Sequence, residues 1–345
     1  MQEKKPFKIL SIDGGGIKGL YSAVILASFE KKHGKINQYF DLICGTSTGG
    51  IIALALAAGV PAQKIVDLYA EQGSQIFPYH KSWSRFFHLV KQALVKSKYD
   101  DANLKKCLKD VLGDLKISDC ETMVLIPTAN ITTGSPCIIK PDDHNPEFHR
   151  DNNHKLVDVA LATAAAPTYF PVQTIQTMPN PDAQFVDGGL FANNPSLYGI
   201  QEAYRYFIQK EDYDYTTFSL LSVATLHHNL SFKEKLKIKR RSFVLWNSKL
   251  ISLMIDLQSI STHYHIKYLN ESLKGHYVRI ESEELNDKEQ KLIDLDLAST
   301  ESIKLLIKKG NEASTKWIHD TDVEHFFKEK RYTYNYSRGE ASGAM

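Results

Sequence analysis

Residues 9–23 read ILSIDGGGIKGLYSA. An apolar run beginning at Phe7 ends at Ile12, glycines occupy positions 14, 15, 16 and 19, and a helix-forming segment, Leu20–Lys32, follows. Glycines let a chain turn sharply and let another group come close to its backbone N–H groups. Two chemistries fit such a turn. The N–H groups could cradle a nucleotide phosphate, or they could hold a negative charge that exists only during a reaction.

The flanking segments supply the frame. YFDLICGTS (39–47) reads as a second strand entering a turn, and TGGIIALALAAG (48–59) is apolar on all sides, as a buried helix is. Pro61 suits the first turn of a further helix, Pro61–Phe77. TMVLIPTANI (122–131) and FSLLSVAT (218–225) read as interior strands. Strands alternating with helices predict an α/β layered sheet rather than a run of hairpins. The reading is one catalytic domain over 1–330 with helical insertions, and a polar tail over 331–345 that frays.

Composition narrows the classes. The 345 residues are 43% hydrophobic and 24% charged with a net charge of +2, so no global field steers the chain towards a nucleic-acid polymer. Four cysteines (44, 107, 120, 137) form no C-x-x-C pair, which favours unpaired thiols in a reducing compartment. MQEKKPFKIL lacks the apolar stretch of a signal peptide, and IIALALAAGV is too short to span a bilayer. The expectation is a cytoplasmic protein; if it meets a membrane, it does so from the side. No H-E-x-x-H occurs, and DDH (142–144) and HYH (263–265) are too ordinary to carry a site, so neither metal nor cofactor is expected.

The phosphate reading rests on Gly14, Gly16 and Gly19, which match G-x-G-x-x-G after a strand and before a helix. It would make the chain a nucleotide-binding Rossmann-type protein. Asp41 stands near the spacing of a ribose-holding acid, but it begins the apolar segment DLICG instead of closing it. The P-loop pattern fails, because Leu20 follows Gly19.

CGTSTGG (44–50) carries the other chemistry. Ser47 lies between Gly45 and Gly49, a G-x-S-x-G elbow with an apolar strand before it and a buried helix after it. An acyl-transfer serine needs N–H donors aimed at its oxyanion, and Gly15 and Gly16 can provide them. Lys18 either reinforces that field or pairs with a nearby acid. FVDGGLFANNP (185–195) offers Asp187 as a base, followed by Gly188 and Gly189; isolated, D-G-G is an ordinary tight turn. Thirteen histidines, His227 and His228 among them, leave a histidine base open.

DGGGIKG, GTSTGG, AAAPTYFP (164–171) and DGGLFANNP, in this order, resemble the patatin-like phospholipases, strongly over residues 7–200 and loosely beyond, through YVRIE (277–281) and DLASTESIKLLIKKG (296–310). The resemblance implies a three-layer α/β/α sandwich with a mostly parallel central sheet, related to the α/β hydrolases. It implies a Ser–Asp dyad without a catalytic histidine: Ser47 the nucleophile, Asp187 the base, and Gly14, Gly15, Gly16, Lys18 and Gly19 the oxyanion loop. Its opening also resembles that of the bacterial cyclic-nucleotide-activated phospholipases of anti-phage defence. That implies a phospholipid membrane surface as substrate and a cyclic dinucleotide as activator, and leaves a homo-oligomer open. A constitutive lysophospholipase, a neutral lipid esterase and an inert binding module are the alternatives.

Three further segments bear on lipid and ligand. WSRFFHLVKQALVKSKY (83–99) places Trp83, Phe86, Phe87, Val90 and Leu94 on one helical face, as an interfacial helix, a lid or a plain surface helix would. KEKLKIKRR (233–241) is a basic run that could attract an anionic headgroup or regulator, as could Arg205. FVLWNSKLISLMIDLQSI (243–260) is apolar over most of its circumference and calls for cover by the core, a partner subunit or lipid.

Overall fold

A computed structural model of the chain describes residues 5–78, 97–141, 150–211, 213–227, 248–331, 334–335 and 340–341. The segment 83–96, the basic run 233–241 and His228 lie outside the described residues.

The expected alternation is present. β1 (Lys5–Ile12) leads through the glycine turn into α1 (Gly19–His33), and β2 (Leu42–Gly45) leads through Ser47 into α2 (Thr48–Ala57). Next come α3 (Ala62–Ile76), α4 (Ala102–Leu112), β3 (Met123–Asn130), β4 (Ser135–Ile139) and α5 (Leu156–Thr163). β5 (Gln173–Thr174), β6 (Gln184–Asp187), α6 (Gly189–Ala192), α7 (Ser196–Tyr206) and β7 (Tyr215–Val223) follow. The described chain continues with α8 (Ser248–Leu273), β8 (His276–Ile280), α9 (Thr300–Trp317) and α10 (Thr321–Phe326), then a two-residue pair, β9 (Tyr334–Asn335) and β10 (Glu340–Ala341). Pro61 stands one residue ahead of α3 rather than inside it, with ψ at 137°.

The central sheet runs β5-β6-β3-β2-β1-β7-β8, with β4 also on β3. β8, β7, β1, β2 and β3 are parallel, whereas β4 and β6 pair antiparallel with β3, and β5 with β6. Alternation along the strands sorts two apolar cores. Leu10 and Ile12 of β1, Ile43 of β2 and Val124 of β3 face α1–α5 and α9. Phe7 and Ile9, Leu42 and Cys44, and Met123 and Leu125 face the layer that holds α7. A period of two along strands covered on both faces makes three layers.

Register positions the site. Ile12 pairs with Gly45 on one side and with Val223 on the other, so β1, β2 and β7 end level. β1 sits where the chain goes to opposite sides of the sheet, and loops leaving parallel strands there open a crevice at the strands' carboxyl ends. All four cysteines are unpaired. Among the described residues, no helix is long and apolar enough to cross a membrane.

Candidate active site

Ser47 occupies the turn between β2 and α2 with φ 54° and ψ −124°, backbone angles that residues other than glycine rarely adopt. Two neighbours hold it there. Its N–H donates to Thr163 Oγ1 at 3.0 Å, and the Thr163 hydroxyl in turn donates to the Pro127 carbonyl at 2.7 Å. At Gly49 a side chain would meet the Ile12 carbonyl at 2.3 Å, so the helix can start against β1 only with glycine there. Gly45 closes β2.

Asp187 ends β6, buried, and its N–H donates to the Ala165 carbonyl at 3.0 Å. The AAAPTYFP segment therefore seats the carboxylate as well as lining the cleft. The Asp187 side chain accepts the Gly189 N–H on Oδ1 at 2.7 Å and shares the cleft lining with Ser47. Burial pushes its carboxyl up to about 6, against the opposing pull of the Ser47 hydroxyl and the Gly189 N–H. Gly188 stands at the start of α6.

The glycine loop divides by hydrogen bonding. The Gly14 N–H donates to the Asn193 carbonyl at 3.0 Å, the Lys18 N–H to the Gly15 carbonyl at 3.2 Å, and the Gly19 N–H to the Gly16 and Ile17 carbonyls. These three shape the turn. Among the described residues the Gly15 and Gly16 N–H groups take no partner, and both residues line the cleft with Ser47 and Asp187. Gly16 has φ +59°, and a Cβ there would stand 2.1 Å from the Leu295 carbonyl. Lys18 is an acid's partner: its buried ammonium lies 3.5 Å from Asp256 Oδ1 on α8, and it does not line the cleft.

The cleft is open to solvent, and the space in it and at its mouth is about 560 Å³. Beyond the polar end, its walls are Ile51, Ile76, Phe77, Leu104, Phe170 and Ile255, among others. None of the described histidines lines it. His227 instead meets Asp256 Oδ1 at 3.4 Å. Burial pushes the Asp256 carboxyl up, but Lys18 and His227 outweigh that and hold it below the usual range.

Several supports were not read from sequence. Asp13, buried beneath the loop, binds Arg279 of β8 through Oδ2 at 2.5 Å and Oδ1 at 3.3 Å. Asn193 donates from Nδ2 to the Gly14 carbonyl at 3.2 Å and to Ser259 Oγ at 2.8 Å. Thr225 Oγ1 donates to the same Gly14 carbonyl at 3.2 Å, and Thr48 Oγ1 to the Gly16 carbonyl at 2.8 Å. Asn193 lies within the quoted motif, yet nothing local indicates its reach. Asp41, weighed for a ribose, is buried at the start of β2, accepting the Lys8 N–H at 2.7 Å and the Tyr215 hydroxyl at 2.9 Å. It ties strands together. Arg205 is exposed on α7 and lies over the Tyr206 ring.

A crevice at the strands' carboxyl ends, with a serine elbow, a buried carboxylate and free glycine amides, is the layout of an acyl hydrolase. The family profile described as patatin-like phospholipase matches residues 10–200, and the chain belongs to that family; it is a lipid hydrolase. It is 34% identical over 321 residues to the "cGAMP-activated phospholipase" of Pseudomonas aeruginosa, covering 93% of this chain and 91% of that protein. A protein of the same name from Vibrio cholerae is 34% identical over 353 residues, covering 94% and 95%. "Patatin-like protein 2" of Arabidopsis thaliana is 32% identical over 358 residues, covering 94% and 86%. The dinucleotide-cradle alternative falls with this membership.

Proposed function

We propose that the chain is a phospholipase A-type enzyme that cleaves glycerophospholipid acyl esters through a Ser47–Asp187 dyad. The observation that carries this reading is the convergence of Ser47, the buried Asp187 carboxyl and the Gly15 and Gly16 amides on one apolar cleft. Asp187 takes the Ser47 proton as Oγ attacks the ester carbonyl carbon, and the displaced electron pair forms an oxyanion held by the Gly15 and Gly16 N–H groups. Collapse expels the lysophospholipid alkoxide, which takes the proton from Asp187. Water, deprotonated by the same carboxylate, then attacks the acyl carbonyl, and collapse frees the fatty acid and expels the Ser47 alkoxide, which takes the proton back from Asp187. The raised Asp187 basicity narrows the mismatch between a carboxylate and an alcohol.

The relatives' names extend the reading to control. Three bacterial relatives at 33–34% identity are called cGAMP-activated phospholipases, which supports a cyclic dinucleotide as activator here. In this reading the enzyme works at the cytoplasmic face of a membrane, and the activator turns it on the host's own lipid as an antiviral defence.

A fluorophosphonate probe should label wild type at Ser47 and leave Ser47→Ala unlabelled. Mass spectrometry of phospholipid vesicles should show fatty acid and lysophospholipid, increased by cGAMP. Labelling elsewhere, or intact phospholipid under every condition, would sink the proposal; equal release without cGAMP would remove the activation.

A further inference from the structure

α8 is amphipathic the wrong way round for a surface helix. Its inward face carries Ser252, Asp256, Ser259 and Thr262, all buried, beside Ile255 and Ile266. Its outward face carries Met254, Leu257, Ile260, Tyr264, Tyr268 and Leu269, between 42% and 74% exposed. An ordinary surface helix turns its apolar stripe to the core. Nine large apolar side chains are exposed among the described residues and six are these, so the exposure is one patch and not scatter. From Met254 to Tyr268 the stripe runs about 21 Å at 1.5 Å per residue. Tyr264 and Tyr268 stack, with ring centroids 6.4 Å apart. Of the apolar segment 243–260, the described Ile251 and Ile255 pack on the core, whereas Met254, Leu257 and Ile260 stay uncovered.

The inward polar face explains why the helix tolerates this. Gln258 Oε1 accepts the Asn194 N–H at 2.8 Å, Ser259 Oγ accepts from Asn193, and Asp256 meets Lys18 of the glycine loop. Polar bonds to the active-site loops hold α8 in place and leave its apolar residues facing out. Ile255, on the inward face of the same helix, is in the cleft wall, so α8 stands between the cleft and the stripe. Leu190, on the short helix that follows Asp187 and packs against α8, is 40% exposed.

The geometry points to the outward face of α8 as the surface on which the enzyme docks onto a glycerophospholipid bilayer. This rests on the lipid-hydrolase reading and deepens it. Met, Leu and Ile side chains enter the acyl boundary, and tyrosines settle at the headgroup level. No Asp, Glu, Lys or Arg stands on this face from Met254 to Tyr264, and Lys267, exposed beside Tyr268, can keep its ammonium at headgroup level while the stripe enters lipid. A bilayer against it would lie one helix away from the cleft, next to Leu190, three residues beyond Asp187.

The test uses the full chain and vesicles of equal parts phosphatidylethanolamine and phosphatidylglycerol. Partitioning is read by co-sedimentation, and hydrolysis by a water-soluble short-chain ester, with and without cGAMP. The triple variant Leu257→Ser/Tyr264→Ser/Tyr268→Ser should lose vesicle binding by more than about tenfold, with its melting temperature and ester hydrolysis kept. Unchanged partitioning, or a wild type that ignores vesicles, would overturn the assignment. So would a wild-type dimer that these substitutions dissociate while vesicle binding stays intact, since a second copy would then be the occupant. A wild type that binds vesicles through this face yet hydrolyses neither lipid nor ester would support the docking surface and defeat the hydrolase reading alone.

Discussion

Thr163 accepts the Ser47 N–H on its hydroxyl oxygen at 3.0 Å and gives its own proton to Pro127, so one hydroxyl ties the elbow to β3. All three groups are buried, and removing the hydroxyl leaves an amide and a carbonyl without partners. Thr163→Val, which keeps the shape, should cost about 1–3 kcal/mol in urea unfolding. It should also lower kcat on a soluble ester more than it raises KM, because the misplaced group is the proposed nucleophile. Wild-type stability in this variant would show that the hydroxyl is not needed to hold the turn.

Asp187 sets the expected pH dependence. The base must be ionised, and burial holds this carboxyl at about 6. Hydrolysis of an uncharged short-chain ester should be flat above neutrality and fall about tenfold per pH unit well below 6. Asp187→Asn should reduce kcat by about 10²–10⁴-fold, the range of general-base catalysis. A profile flat down to pH 4 would remove Asp187 from the mechanism.

The same shift reads on stability, with a definite sign. The folded state binds this proton more tightly than the unfolded chain does, whose carboxyl titrates near 3.8. The group therefore favours folding below that value, and the contribution is lost as pH rises through about 6. Asp187→Asn should accordingly be more stable than wild type at pH 8, by up to roughly 3 kcal/mol, and no better at pH 4. Paired unfolding curves at the two pH values decide it.

Asp13 and Arg279 form a buried ion pair under the glycine loop. Removing one partner strands the other charge, so Asp13→Leu or Arg279→Met alone should cost about 3–5 kcal/mol. The double variant should recover most of that loss in chemical unfolding. Additive losses would mean that the two side chains act independently, through contacts other than their mutual ion pair.

Local signals were legible and long-range ones were not. β1 with its glycine turn and β2 with its serine elbow are each written in about a dozen consecutive residues, because a buried strand, a sharp turn and a buried helix each leave a local pattern. Asp187 could be nominated by its motif, but only the antiparallel register of β6 on β3 brings it to Ser47. Arg279 lies 266 positions from Asp13, and no periodicity connects them. For Lys18 the open choice resolves towards Asp256, an acid on a helix whose apolar content drew the eye away from its buried polar side.

The backbone angles at residue 47 carry a last consequence. Holding an L-amino acid at φ 54° and ψ −124° sets about 1–3 kcal/mol against the native state, and glycine would be spared most of it. A chain with Ser47→Gly should be inert and yet survive heating longer than the working enzyme. Durability and turnover thus compete at a single position, and random selection for heat resistance alone would tend to discard the hydroxyl.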